Sequence, residues 1–250
     1  MKKAIILVLL LAVQTVIPLM AQKYRVTNIT RTRIVMDDKY VQDAEAMEYL
    51  KPYRHDIDSI MSPVMGHTVK YMKSYAPESE LSNLLADIMA WCGCKYNEKP
   101  DFGMYNLGGI RAALPEGTIT FGDINDMAPF ENKIYFLSLK GSQVLQLCEQ
   151  LARKPAGISH GLEIVAKGKT LESARLNGEP IDPERTYRIA TLDYLAQGND
   201  GYTVLGEGFD ANGPKDNSAN TRYLIAEYFK EMTSQGKAVD SNIEGRFIVK

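Results

Sequence analysis

Asn106-Leu107-Gly108-Gly109-Ile110-Arg111 is the stretch with the clearest chemical character. Two adjacent glycines let the backbone turn tightly and let a ligand approach it, because no Cβ stands in the way. The Asn106 amide offers both donor and acceptor, and the Arg111 guanidinium presents a fork of donors suited to phosphate or carboxylate. This combination predicts an anion-facing turn leading into a short helix or loop. A second loop, Asp193 to Tyr202, carries aromatic residues at either end and places an acid, Asp200, between Gly198 and Gly201.

These loops need elements to hold them. Leu81, Leu84, Leu85, Ile88 and Met89 recur at a helical period, which predicts a helix over Glu78–Trp91 with acids favourably placed at its start. A short strand leads into Asn106. Ile119–Ile124 reads as a short strand entering a capped helical turn, and Lys133–Leu139 as a strand. Gly141-Ser142 is expected to cap a helix over Gln143–Arg153. Gly161–Val165 is a predicted strand, Asn177-Gly178 signals a hairpin, and Thr186–Thr191 alternates strongly. A last helix is expected over Asn217–Gln235 and a last strand over Ile243–Val249.

Ahead of these, Tyr24–Ile29 and Arg31–Val35 alternate as an edge strand would. Asp43–Met61 reads as helices interrupted at Pro52, and Val64–Val69 as a strand with His67 half-buried. No repeat, linker or low-complexity segment is visible. The reading is therefore α+β, with one domain of mixed sheet and packed helices at residues 66–250, after an N-terminal extension at 22–65.

The first 21 residues have the outline of a signal peptide. Lys2 and Lys3 precede the apolar run Ala4–Val13, and Leu19-Met20-Ala21 leads to Gln22. The run is too short and too interrupted for a comfortable membrane span, and Gln22 offers no thiol for lipid attachment. Export to the periplasm or the medium is expected, with no membrane association after cleavage.

A net charge of −2 and a pI near 6.0 argue against a nucleic-acid partner, which needs a basic face. The three histidines, His55, His67 and His160, form no metal-ligand spacing with nearby acids. Cys92-Gly93-Cys94 lacks the spacing and the second pair of a zinc site. With Cys148, these cysteines leave two readings open: one disulfide with a free thiol, or small buried hydrophobes.

In this order the segments resemble the C-terminal domain of the 5'-nucleotidase family, which includes UDP-sugar hydrolases and 2',3'-cyclic phosphodiesterases. The resemblance runs from about Gly66 to Gly206. It is carried by Glu78–Asp87, Asn106–Arg111, Pro129-Phe130, Leu139–Ser142 and Tyr194–Tyr202. It implies a domain that binds the nucleoside part of a substrate, while a separate metallophosphoesterase domain holds two metal ions and performs hydrolysis. It implies that Asn106 and Arg111, with Gly108 and Gly109, face the phosphate side. Phe130 and Tyr194 would sandwich the base, and Asp200, beside Asn199, would accept from the ribose hydroxyls.

The sequence departs from the family pattern in three ways. The Asp-x-His and Gly-Asn-His-Asp/Glu metal patterns do not occur. Only Lys70 and Lys73 stand where a further Arg is usual. Asn199 replaces a Gly, and Tyr194 replaces a Phe.

No catalytic residue, metal ligand or cofactor is therefore expected in this chain, and divalent metals are expected only in a separately encoded metallophosphoesterase partner. The expected function is nucleotide or nucleoside recognition in nucleotide catabolism. The alternatives are a stand-alone nucleoside- or nucleotide-binding protein, or an autonomous hydrolase using Asp193, Asp200 and His160, for which no spacing in the sequence argues.

Overall fold

The computed structural model describes residues 26–35, 37 and 39–250, so the signal-peptide reading and Gln22–Arg25 lie outside the described residues. The described residues up to Glu48 and the residues from Tyr49 onward fall in two separate units. In the first, residues 26–35 are exposed and adopt no regular structure, contrary to the expected strand. Alternation yields a strand only where another strand supplies the ladder, and among the described residues none pairs with this segment.

Helix α1, Ala44–Met61, is continuous through Pro52 rather than broken there. Pro removes one ladder hydrogen bond but its φ suits a helix, and the Asp43 carboxylate caps the start by accepting from the Glu45 and Ala46 N–H groups. Strand β1, Val64–Thr68, follows. Its pairing slips between Val64 and Gly66, so Met65 and Gly66 are both buried and His67 is exposed, not half-buried. A bulge resets the alternation on which the expected burial depended.

Helix α2, Glu80–Trp91, begins at a reciprocal Ser79–Ser82 cap and buries Leu81, Leu84, Leu85, Ile88 and Met89. It lies on β2, Phe102–Tyr105, so closely that a Cβ at Gly103 would stand 2.2 Å from the Ala86 carbonyl oxygen. Next come β3, Gly117–Thr120; α3, Phe121–Met127, capped by Thr120 and Asp123; and β4, Ile134–Lys140.

Helix α4, Gly141–Arg153, starts two residues earlier than expected. Gly141 is no cap: its backbone approaches the 182–185 loop so closely that a Cβ would clash with the Asp182 carbonyl oxygen, and its N–H donates to the Arg185 carbonyl. The Gln143 side chain instead accepts from the Lys140 N–H.

The remaining strands are β5, Gly157–Ile158; β6, Leu162–Lys167; β7, Thr170–Leu176; β8, Glu179–Pro180; and β9, Thr186–Leu192. Asn177 and Gly178, with φ of 53° and 81°, make the expected hairpin turn between β7 and β8. The stretch expected as a plain loop after β9 contains helix α5, Asp193–Ala196, and a 3-10 turn at Asn199–Gly201.

Strand β10, Phe209–Asn212, precedes helix α6, Thr221–Ser234. The predicted start at Asn217 is instead a separate 3-10 turn, because Asn220 caps α6 through the Arg222 N–H. Strand β11, Phe247–Val249, is shorter than expected.

The central sheet has the order β10-β4-β9-β2-β5, with β2 and β9 parallel and the other pairs antiparallel. A second sheet runs β11-β6-β7-β8, and β1 pairs with β3. All three cysteines are free thiols, with Cys92 and Cys148 buried and Cys94 exposed. Burial pushes the Cys92 and Cys148 thiols well above their ordinary range. Among the described residues, no helix is long and apolar enough to cross a membrane.

Candidate functional site

The sheet order brings three chain segments to one end. Because β2 and β9 are parallel neighbours, their last residues, Tyr105 and Leu192, leave the sheet on the same side. Antiparallel β4 pairs Ile134 with Leu192, so the segment entering β4 starts at that end too. Asn106, the 129–133 loop and the loop after Asp193 therefore converge, where carboxyl ends of parallel strands commonly leave a binding crevice.

There a cleft of about 240 Å³ is lined by Asn106, Gly108, Gly109, Phe130, Asn132, Tyr194 and Asp200. Of the residues the sequence nominated, both glycines, both aromatics, Asn106 and Asp200 thus come together in one place. Arg111 and Asn199 are not among its walls. Arg111 rests its guanidinium 6.0 Å from the centre of the Phe130 ring. Asn199 donates to the Tyr194 carbonyl at 2.8 Å, which braces the loop.

The Asn106 amide, expected toward a phosphate, donates to Asp200 Oδ2 at 2.7 Å. A carboxylate only accepts, so Nδ2 must face it. Asn106 Oδ1 is then buried with no hydrogen-bond partner among the described residues. An unpaired buried acceptor costs about 1–3 kcal/mol, so this atom is ready for a donor.

Asp200 itself has φ 61° and ψ 9°, within Gly198-Asn199-Asp200-Gly201 where both glycines also have positive φ. Asp tolerates this left-handed region better than most residues, and the turn directs its carboxylate back to Asn106. Lys154 Nζ lies 3.1 Å from Oδ1, and the Tyr194 hydroxyl donates to Oδ1 over 3.4 Å. Burial by itself raises the Asp200 pKa; the Asn106 hydrogen bond, the Lys154 ammonium and the Tyr194 hydroxyl outweigh it and hold the carboxyl below its ordinary range. At neutral pH it is an ionised acceptor.

Four contributors were not visible as motifs. Asn132 lines the cleft. Lys154, at the end of α4, pairs with Asp200 and also accepts the Tyr202 hydroxyl on its carbonyl. Arg222 donates to the Ala128 and Pro129 carbonyls and so holds the loop bearing Phe130. Asp193 bonds to the backbone of Lys133. The last three act across long sequence separations that no local spacing signals.

The 5'-nucleotidase, C-terminal domain family matches residues 62–207, more than half of the chain. This chain belongs to that family. UshA of Yersinia enterocolitica is 26% identical over 226 residues, covering 85% of this chain and 38% of that protein. UshA of Escherichia coli is 30% identical over 148 residues, covering 57% of this chain and 26% of that protein. A 5'-nucleotidase precursor from Thermus thermophilus superposes with a TM-score of 0.69 at 28% identity, covering 82% of this chain and 43% of its own. The chain therefore spans less than half the length of each of these relatives. The α+β architecture is that of the family's C-terminal domain.

Proposed function

We propose that this chain is the nucleotide- or nucleoside-recognising part of a 5'-nucleotidase-type hydrolase, exported from the cell and acting in nucleotide catabolism with a metallophosphoesterase partner. The observation that carries the reading is the cleft. It combines two exposed aromatic side chains, an ionised carboxylate and a buried amide with a free acceptor. Aromatic faces suit a nucleobase, since stacking contributes about 1–3 kcal/mol per base, and an acceptor-only carboxylate suits a ribose diol. Arg111, exposed beside Phe130, is the group available to a phosphate at the rim.

The phosphoesterase enters the proposal because phosphoryl hydrolysis of this class uses metal ions to polarise the phosphoryl group and activate water. Among the described residues, no three His, Cys, Asp or Glu side chains are grouped to hold a metal ion. In this reading the chain binds and orients the substrate, and the metal ions are held by the phosphoesterase. Periplasmic or secreted localisation is part of the same proposal and rests on the leader-like first 21 residues.

Calorimetric titration of the purified chain with adenosine, AMP and UDP-glucose tests the reading, alongside phosphate release in the presence of divalent metal. Binding without turnover, abolished by Tyr194→Ala and Asp200→Ala, is expected. Metal-dependent turnover by the chain alone would overturn the division of labour, and absence of binding would overturn recognition. Binding that no phosphoesterase converts to turnover would instead mark a stand-alone binding protein.

A further inference from the structure

Asp193 opens the loop that carries Tyr194 and bonds to the loop that carries Phe130. Its Oδ1 accepts from the Lys133 N–H at 3.1 Å and from the Tyr194 N–H at 2.8 Å. Its own N–H donates to the Lys133 carbonyl at 2.9 Å. One residue just past the end of β9 thus grips the chain ahead of β4 and the aromatic next to it, Tyr194. Phe130 is 47% exposed and Tyr194 39% exposed, so packing alone holds each ring only in part. Asp193 ties the Tyr194 backbone to Lys133, three residues beyond Phe130 on the same loop, while Arg222 holds the Pro129 carbonyl on the other side of Phe130.

We propose that Asp193 is a positioning residue that sets the gap between Phe130 and Tyr194, and thereby makes the cleft selective for ligands carrying a planar aromatic base. The inference rests on the nucleotide reading and adds to it the element that tunes base stacking. The carboxylate touches no ligand in this scheme. It acts through two backbone N–H groups, which need an acceptor but not a charge, so an Asn side chain can replace it and Ala cannot.

The test uses the full chain with Asp193→Ala and Asp193→Asn, titrated with AMP and with ribose 5-phosphate, which lacks a base. Amide exchange at Lys133 and Tyr194 is followed in the same samples. Asp193→Ala is expected to weaken AMP binding about tenfold, with a clearly smaller effect on ribose 5-phosphate. Exchange at both amides should accelerate in Asp193→Ala, and Asp193→Asn should restore both AMP binding and protection. Equal losses for the two ligands, unchanged AMP binding in Asp193→Ala, or failure of Asn to rescue a folded protein would overturn the proposal while leaving nucleotide recognition intact. A wild-type chain that binds neither ligand would overturn the nucleotide reading, and this inference with it.

Discussion

Asn106 and Asp200 are 94 positions apart in the chain, yet the amide of one donates to the carboxylate of the other over 2.7 Å. The contact joins the end of β2 to the loop beyond β9. It also commits one side of each group to the protein, leaving Asn106 Oδ1 free and Asp200 charged.

Asp200→Asn removes the charge that Lys154 faces and presents an amide to an amide across the Asn106 contact. A hydrogen bond to a charged group contributes about 1.5–3 kcal/mol, so adenosine affinity should fall about ten- to a hundredfold. Calorimetry reads this directly, and a change within experimental error would remove Asp200 from diol recognition.

The depressed pKa of Asp200 sets a pH window. A carboxylate whose folded-state pKa is lowered keeps its charge, and the interactions that depend on it, above its ordinary value of about 3.9 and loses them only as pH falls through the lower folded value. Adenosine binding should therefore stay flat from neutral pH down into the ordinary carboxylate range and fall only below it. Lys154→Met should move that acid limb to higher pH. The shift will be modest, since the Lys154 side chain is 57% exposed and its charge is screened. An unmoved limb would show that the ion pair does not tune the site.

Gly108 and Gly109 separate binding from folding. A Cβ at Gly108 would meet nothing closer than 3.9 Å, the nearest atoms being Asn106 Nδ2 and Asp200 Oδ2. Gly108→Ala should therefore melt like the wild type while its methyl group occupies ligand space and weakens nucleoside binding. At Gly109 a Cβ would stand 2.6 Å from Asn106 Oδ1 and 3.2 Å from the Tyr105 ring. Gly109→Ala should lose both stability, by about 1–3 kcal/mol as in other overpacked sites, and binding. Thermal melts paired with titrations distinguish the two; equal behaviour would contradict the geometry.

Phe130→Ala and Tyr194→Ala should each weaken binding by about 1–3 kcal/mol with a smaller effect on stability, since both side chains are partly exposed. Tyr194→Phe keeps the stacking face and loses only the 3.4 Å hydroxyl contact to Asp200, so its effect should be slight. A Tyr194→Phe loss as large as that of Tyr194→Ala would transfer the role from the ring to the hydroxyl.

Arg246 carries a stability prediction away from the site. Its side chain is 5% exposed, pairs with both Asp87 oxygens at 2.8 Å, and reaches Glu244 at 2.9 Å. Arg246→Met would leave Asp87 without its cation, while Glu244 keeps its contact to His160 Nδ1 at 3.0 Å. Breaking a buried pair costs about 3–5 kcal/mol, and about 3 kcal/mol is expected here because Asp87 keeps a third of its side-chain surface in water. Denaturant unfolding measures it, with nucleoside affinity expected to be unchanged.

Local chemistry determined much of this protein from its sequence. The apolar period of α2, the alternation of β9, the Asn177-Gly178 turn and the glycines at 108–109 act through neighbours within a few residues, so they can be read along the chain. The same holds for the aromatic and acidic residues that now line one cleft. What only the tertiary structure decided depends on segments distant in sequence. The parallel placement of β2 beside β9 brings Asn106 to Asp200. The bulge in β1 turns His67 outward. The close approach of Asp182 makes Gly141 a packing residue rather than a cap. Arg111 stands against Phe130, and Asn199 turns to brace its own loop. In most of these cases the side chain's role is set by which distant backbone arrives beside it, and residue type and local spacing carry no record of that.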